Sequence, residues 1–120
     1  MFKEISDVIE YKGKKYKLVF NLNVMEAIQD EYKSLDAWGA LTDGSTTGEV
    51  NVKALIFGLM SMINEGIEID NEDNGTNTPL LTRKQAGRII TDIGVKTVTD
   101  NMNELIVKST KVEDDDSKNA

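Results

Sequence analysis

Val52-Lys53-Ala54-Leu55-Ile56-Phe57-Gly58-Leu59-Met60-Ser61-Met62-Ile63 decides the fold. Nine of these twelve residues are apolar and Lys53 is the only charge. A surface helix shows a polar face at 3.6-residue spacing, and this stretch shows almost none. On a helix, Leu55, Leu59 and Met62 fall on one side, with Ile56, Met60 and Ile63 beside them. The run is too short for a membrane span, which takes about 20 apolar residues. A buried strand is the alternative, but the length and the Leu/Met content favour a helix. Asn51 is placed to cap its start and Gly66 to stop it. The stretch predicts a central helix that the other elements wrap.

Working back towards the N-terminus, residues 5–22 read as a β-hairpin. Tyr16, Leu18, Phe20 and Leu22 alternate with Lys15, Lys17, Val19 and Asn21, which is strand periodicity. Gly13-Lys14 fits a two-residue II′ turn, pairing Tyr11 with Tyr16 and Ile9 with Leu18 on the face that carries Phe20. Lys12, Lys14, Lys15 and Lys17 crowd the tip, either as an edge kept unpaired by lysine or as a phosphate-binding patch. The period changes near Asn23, which is placed to cap a helix over about 24–33 with the stripe Val24, Ala27, Ile28, Tyr32 and Leu35. Ser34 or Asp36 can restart a short turn holding Ala37, Trp38 and Leu41. Trp38 is the only tryptophan, to be read as a core anchor under the hairpin or as an exposed partner anchor.

Forward of the central stretch, Thr42 to Glu49 is a polar loop by composition. The central helix is expected over about 51–65. Ile67 to Asp70 suggests a short extended piece, and Asn71 to Thr78 a flexible acidic loop ending at Pro79. Thr82 with Gln85 makes a capping box for a helix over 82–93, with Ala86, Ile89, Ile90 and Ile93 inward. A last helix over 95–108 carries the stripe Val95, Val98, Met102, Leu105 and Ile106. Residues 109–120, with Glu113-Asp114-Asp115-Asp116, read as a disordered acidic tail. The expected fold is α+β, mostly α: an N-terminal hairpin packed on about four helices around a central buried helix, in one globular domain over 1–108.

Composition narrows the function. The 120 residues include no cysteine and no histidine, so thiol chemistry, the usual neutral-pH base and the commonest metal ligand are missing. The net charge of −7 disfavours nucleic-acid binding, which needs a basic face. No apolar h-region follows Met1, so no secretory signal is expected, and the chain reads as soluble and cytosolic. Asp70-Asn71-Glu72-Asp73-Asn74-Gly75 imitates the start of a calcium loop, but position twelve is Leu81 where an EF-hand requires a bidentate Glu. No Ser or Thr has a base beside it, the carboxylates cluster in loop and tail, and Gly87 and Gly94 are isolated. Neither an enzyme nor a cofactor or metal protein is expected, and no small-molecule substrate or membrane contact.

Three segments carry a resemblance: Leu35-Asp36-Ala37-Trp38-Gly39-Ala40-Leu41-Thr42-Asp43-Gly44, Met62-Ile63-Asn64-Glu65-Gly66-Ile67-Glu68-Ile69, and Leu81-Thr82-Arg83-Lys84-Gln85-Ala86-Gly87-Arg88. With the Lys-rich hairpin before them, they resemble tail assembly chaperones of long-tailed (siphovirus-type) bacteriophages or prophages of Gram-positive hosts, over most of residues 5–108. The resemblance implies a small, largely helical, non-enzymatic protein. It would coat the tape measure protein in the infected cell, help tail-tube subunits polymerise around it, and be absent from the finished virion. It places no family binding residue on a position of this chain. A coat of small domains also implies self-association, through the hairpin edge or an apolar residue beside the loop at Thr42 to Glu49. Val98, Met102, Leu105 and Ile106 are the candidate face for the client; the other reading of that stripe is core. The rival functions are an acidic inhibitory protein that mimics DNA, which needs carboxylates on ordered elements at phosphate-like spacing, and a structural tail subunit kept in the particle.

Overall fold

The computed structural model describes residues 6–44 and 48–119, with side chains over 7–44 and 48–110. Ser6–Tyr11 (β1) and Lys14–Val19 (β2) form a two-stranded antiparallel sheet. Five helices follow in the described residues: Leu22–Tyr32 (α1), Leu35–Thr42 (α2), Val52–Asn74 (α3), Arg83–Ile93 (α4) and Val95–Asn119 (α5). The class is α+β, mostly α, as the change of period near Asn23 predicts.

The other elements wrap α3. Ala54, Leu55, Leu59, Met62 and Ile63 have no exposed surface at all. Asn51 caps the helix as expected, its side-chain oxygen accepting from the Ala54 amide at 3.0 Å. Gly66 does not stop it. The helix continues to Asn74 and ends at Gly75, whose φ of 64° is the left-handed C-cap. Gly66 stays helical because the β2 backbone takes the place of its side chain: a Cβ there would lie 2.8 Å from the Lys17 carbonyl oxygen. The helix therefore covers the edge of β2, which answers the exposure of an unpaired strand edge. The extended piece expected at Ile67 to Asp70 is helix, and Lys17 pairs with Asp70 at 2.9 Å. The loop expected at Asn71 to Thr78 begins inside α3 and is then closed by Asn71. That side chain accepts from the Thr76 hydroxyl at 2.8 Å and the Thr78 amide at 3.0 Å, and donates to the Thr78 carbonyl at 3.0 Å.

The hairpin turn is Lys12-Gly13, with φ of 52° and 77°. Both central residues are left-handed, which is the type I′ geometry that matches strand twist. Tyr11 therefore faces Lys14, and Ile9 faces Tyr16; the expected pairing of Ile9 with Leu18 is displaced by two residues. A slide of two keeps every side chain on its face, so Ile9 and Leu18 are buried as predicted. Val19, on the opposite face, is buried too, and β2 ends there, leaving Leu22 exposed at the start of α1.

Local capping sets the helix starts. Asn21, not Asn23, caps α1, accepting from the Val24 amide at 3.2 Å; Asn23 instead donates to Glu65 at 3.0 Å. Ser34 caps α2, accepting from Ala37 at 3.0 Å. Trp38 is an anchor of the core: 1% exposed, it donates from Nε1 to the Ala54 carbonyl at 2.9 Å and lies over Gly58. The capping box of α4 is complete, with Gln85 N donating to Thr82 Oγ1 at 3.2 Å and Thr82 N to Gln85 Oε1 at 2.8 Å. The last helix was expected to end at 108, before a disordered tail; α5 instead continues to Asn119. No glycine or proline follows Gly94 to end the helix, and Ser109, just past the expected end, is fully buried. Ala120 lies outside the described residues.

Tyr32 meets Phe57 edge to face, with centroids 5.5 Å apart. Its hydroxyl is buried without a hydrogen-bond partner, and burial, reinforced by Glu31 and opposed by Arg83, raises its pKa. An unpaired buried hydroxyl costs about 1 kcal/mol or more. Tyr32→Phe is expected to stabilise the fold by about 1 kcal/mol at neutral pH. A phenol whose folded pKa is raised contributes stability that is full below the ordinary value and is lost as pH rises beyond it. Stability should therefore fall above about pH 10, less steeply in Tyr32→Phe. Urea unfolding of both proteins at neutral and alkaline pH checks this; a destabilised Tyr32→Phe would show that the hydroxyl is paired.

Candidate contact surfaces

The stripe proposed for the client lies in the core. Val98 is 1%, Met102 0% and Leu105 1% exposed, and Ile106 is half-buried against them. An apolar stripe at helical spacing is the same signal for a core face and for a docking face, and here α5 turns it towards the hairpin, α3 and α4. Val95 and Val107 are the large apolar residues that α5 leaves in solvent among its described side chains.

Among the described residues, the exposed large apolar side chains are Val8, Leu22, Val52, Leu80, Val95 and Val107. Leu80 differs from the others in how it is held. Asn64 of α3 clamps the next residue from both sides: its amide nitrogen donates to the Leu81 carbonyl at 3.1 Å, and its oxygen accepts from the Leu81 amide at 2.7 Å. Leu81 is thereby fixed in the core at 8% exposure, and Leu80 is turned outward at 47%. The Thr82 cap on one side and the Asn71 turn on the other leave the connection from α3 to α4 tied at three points. Leu80 borders a shallow cleft between α1 and α3 with Val24, Ala27 and Met60 on its floor and Glu65 and Glu68 at its rim. A preorganised apolar side chain beside an apolar cleft is the arrangement of a protein-contact anchor.

A second groove, of about 440 Å³, runs between α3 and α4. Val52, Ile56, Ile90 and Val95 give it an apolar lining, and Lys84 and Arg88 a basic rim. On the far side of Arg88 lies a cleft with Tyr11, Lys12, Tyr16 and Gln85. A third recess, between α2 and α5, has Leu35, Gly39 and Ala40 with Asp36 and Asp43. An acidic chain thus carries one basic flank and one acidic flank. Of the hairpin lysines, Lys17 is paired with Asp70, Lys12 and Lys14 lie over the rings of Tyr11 and Tyr16 at 5.4 and 5.2 Å, and Lys14, Lys15 and Lys17 together line a cleft against Ile67 and Asp70 of α3.

Asp70 to Asn74 of the calcium-like sequence belong to α3. Successive side chains on a helix point about 100° apart, so they spread rather than converge. Among the described residues, no group of three or more Asp or Glu side chains is placed to hold a metal ion, and no helix is long and apolar enough to cross a membrane. No protein-family model, no curated protein and no solved structure matches this chain.

Proposed function

We propose that this protein is a phage tail assembly chaperone: a non-enzymatic binding protein, acting in the cytoplasm of the infected host in several copies, that covers the helical tape measure protein while tail-tube subunits polymerise around it and then leaves the particle. The observation that carries the reading is the clamp around Leu80. Its two partners, Asn64 and Leu81, belong to two of the segments that resemble these chaperones. The resemblance therefore falls on the residues that present an apolar side chain to solvent. A client helix laid across Leu80 and the Met60 cleft would bury apolar surface worth about 25 cal/mol per Å². Glu65 and Glu68 at the rim suit a client face carrying Lys or Arg.

Co-expression with a tape measure protein from the same genome tests this. The wild-type chain is expected to keep the tape measure protein soluble and to elute with it. Leu80→Asp should melt like wild type, because the side chain is already half in water, yet lose at least about tenfold in affinity. If the wild-type chain leaves the tape measure protein insoluble and unbound, the chaperone reading fails. If Leu80→Asp binds as wild type does, the contact lies elsewhere.

A further inference from the structure

α3 covers the edge of β2 at Lys17 and leaves it open at Lys15. In an antiparallel ladder, pairs that exchange hydrogen bonds alternate with pairs that do not. Tyr11 and Lys14 close the Lys12-Gly13 turn, and the closing pair of such a turn is bonded. Tyr16 and Leu18 therefore bond back to β1, while Lys15 and Lys17 direct their N–H and C=O groups away from it. At Lys17 the outward carbonyl meets Gly66 of α3. Two residues nearer the turn, the outward groups of Lys15 have no hydrogen-bond partner among the described residues. A cleft of about 140 Å³ lies there, with Lys14, Lys15 and Lys17 on the hairpin side and Ile63, Ile67 and Asp70 on the α3 side. A cavity of about 150 Å³ admits benzene, so the cleft has room for one aliphatic side chain. Its charge is unbalanced. Asp70 is taken up by Lys17 at 2.9 Å. Lys14 lies over the Tyr16 ring, which attracts a cation without cancelling its charge. Lys15 is exposed and has no ion-pair partner among the described residues.

We infer that this cleft binds an extended acidic segment of a partner protein. The segment's backbone pairs with Lys15 as a short added strand, an aliphatic side chain sits against Ile67, and carboxylates on either side of it reach Lys14 and Lys15. An extended chain fits because its side chains alternate in direction, so one apolar residue points into the cleft while its acidic neighbours point out to the lysines. A nucleic-acid strand fits less well. The tyrosine rings on which bases would stack carry Lys12 and Lys14 over one face, and Asp70 repels phosphate. This cleft shares no lining residue with the one beside Leu80 and has the opposite charge, so the inference goes beyond the chaperone reading and does not rest on it.

Fluorescence anisotropy of a labelled synthetic peptide, Glu-Asp-Ile-Asp-Glu, titrated with the full-length chain at low salt is the test. Wild type is expected to bind it saturably. Replacing the peptide's Ile by Ser should weaken binding about tenfold, the loss expected for one buried aliphatic side chain. The same peptide N-methylated throughout, which cannot donate to a strand edge, should also bind about tenfold less tightly or worse. Neither change touches the protein, so neither can fail through misfolding. Lys15→Glu should bind about tenfold less tightly or worse and melt like wild type, because Lys15 is exposed. Lys53→Glu makes the same change of charge at an exposed position of α3, about 21 Å along the helix from Ile67, and should bind as wild type does. A wild-type chain that shows no saturable binding overturns the inference, as does equal binding of the Ser or N-methylated peptide, or undiminished binding by Lys15→Glu. Oligouridylate that binds more tightly than the peptide, and displaces it, would make the cleft a phosphate site and overturn it too.

Discussion

Met102→Asp is expected to leave the chain without a cooperative unfolding transition. Met102 has no exposed surface and sits in the single buried cluster with Leu105, Val98, Ile89 and Leu55. Losing a buried methionine side chain removes about 2–5 kcal/mol. Placing an unpaired carboxylate in the vacated space adds several kcal/mol more, whether it stays charged or takes up a proton. Domains of this size have about 5–15 kcal/mol in total, so the loss consumes most or all of it. Far-UV circular dichroism during heating reads the result. A sharp melt within a few degrees of wild type would show that α5 does not pack as described, and would return the stripe Val98, Met102, Leu105 and Ile106 to the surface.

Gly58→Ala is expected to destabilise by about 3 kcal/mol, the upper end for overpacking, although alanine is the better helix former. The added methyl would overlap the Trp38 ring. Trp38 cannot yield cheaply, because its Nε1 hydrogen bond to Ala54 fixes it along the same helix and only 1% of it is exposed. Moving the ring strands a buried carbonyl and opens the contact between α2 and α3. Gly87→Ala is the matched control. It places the same methyl on a helix where the nearest atom is at 3.6 Å, so it should stabilise by up to about 1 kcal/mol. Chemical denaturation of the pair measures opposite signs for one substitution type. Equal signs would mean that packing against Trp38 does not set the requirement at Gly58.

Signals confined to one turn or one period were legible in the sequence. The apolar run at Val52 to Ile63, the Asn51 and Ser34 caps, the Thr82 and Gln85 box and the alternation from Tyr16 to Phe20 each act through neighbours within four residues. What escaped depends on partners beyond one turn or on which of two adjacent residues takes a given turn position. Gly66 has the residue type of a helix stop, and only the β2 carbonyl, 49 positions away in sequence (66 minus 17), makes it a packing residue. The hairpin register turned on whether Gly13 is the first or the second central residue of the turn, II′ with Gly13-Lys14 or I′ with Lys12-Gly13, and both place a glycine where a positive φ is needed. Asn64 and Asn71 looked like ordinary polar residues near a flexible segment; the Asn64 clamp on Leu81 spans 17 positions, and the Asn71 bonds to Thr76 and Thr78 span five and seven, beyond the reach of a one-turn signal. Leu80 was passed over in favour of α5, whose stripe has the right spacing but is buried at Val98, Met102 and Leu105 and half-buried at Ile106. An isolated signal pointed to Leu80: a leucine next to the only proline, beside another leucine, in an otherwise polar stretch.

Stoichiometry is the most direct measure of a coat. Light scattering on the complex co-purified with the tape measure protein gives the number of chains of this protein per client chain. The account predicts several copies, with a number that falls in proportion when the client is shortened, and far fewer bound at the same concentration when this chain carries Leu80→Asp. One copy per client regardless of its length, or no complex at all, would contradict it.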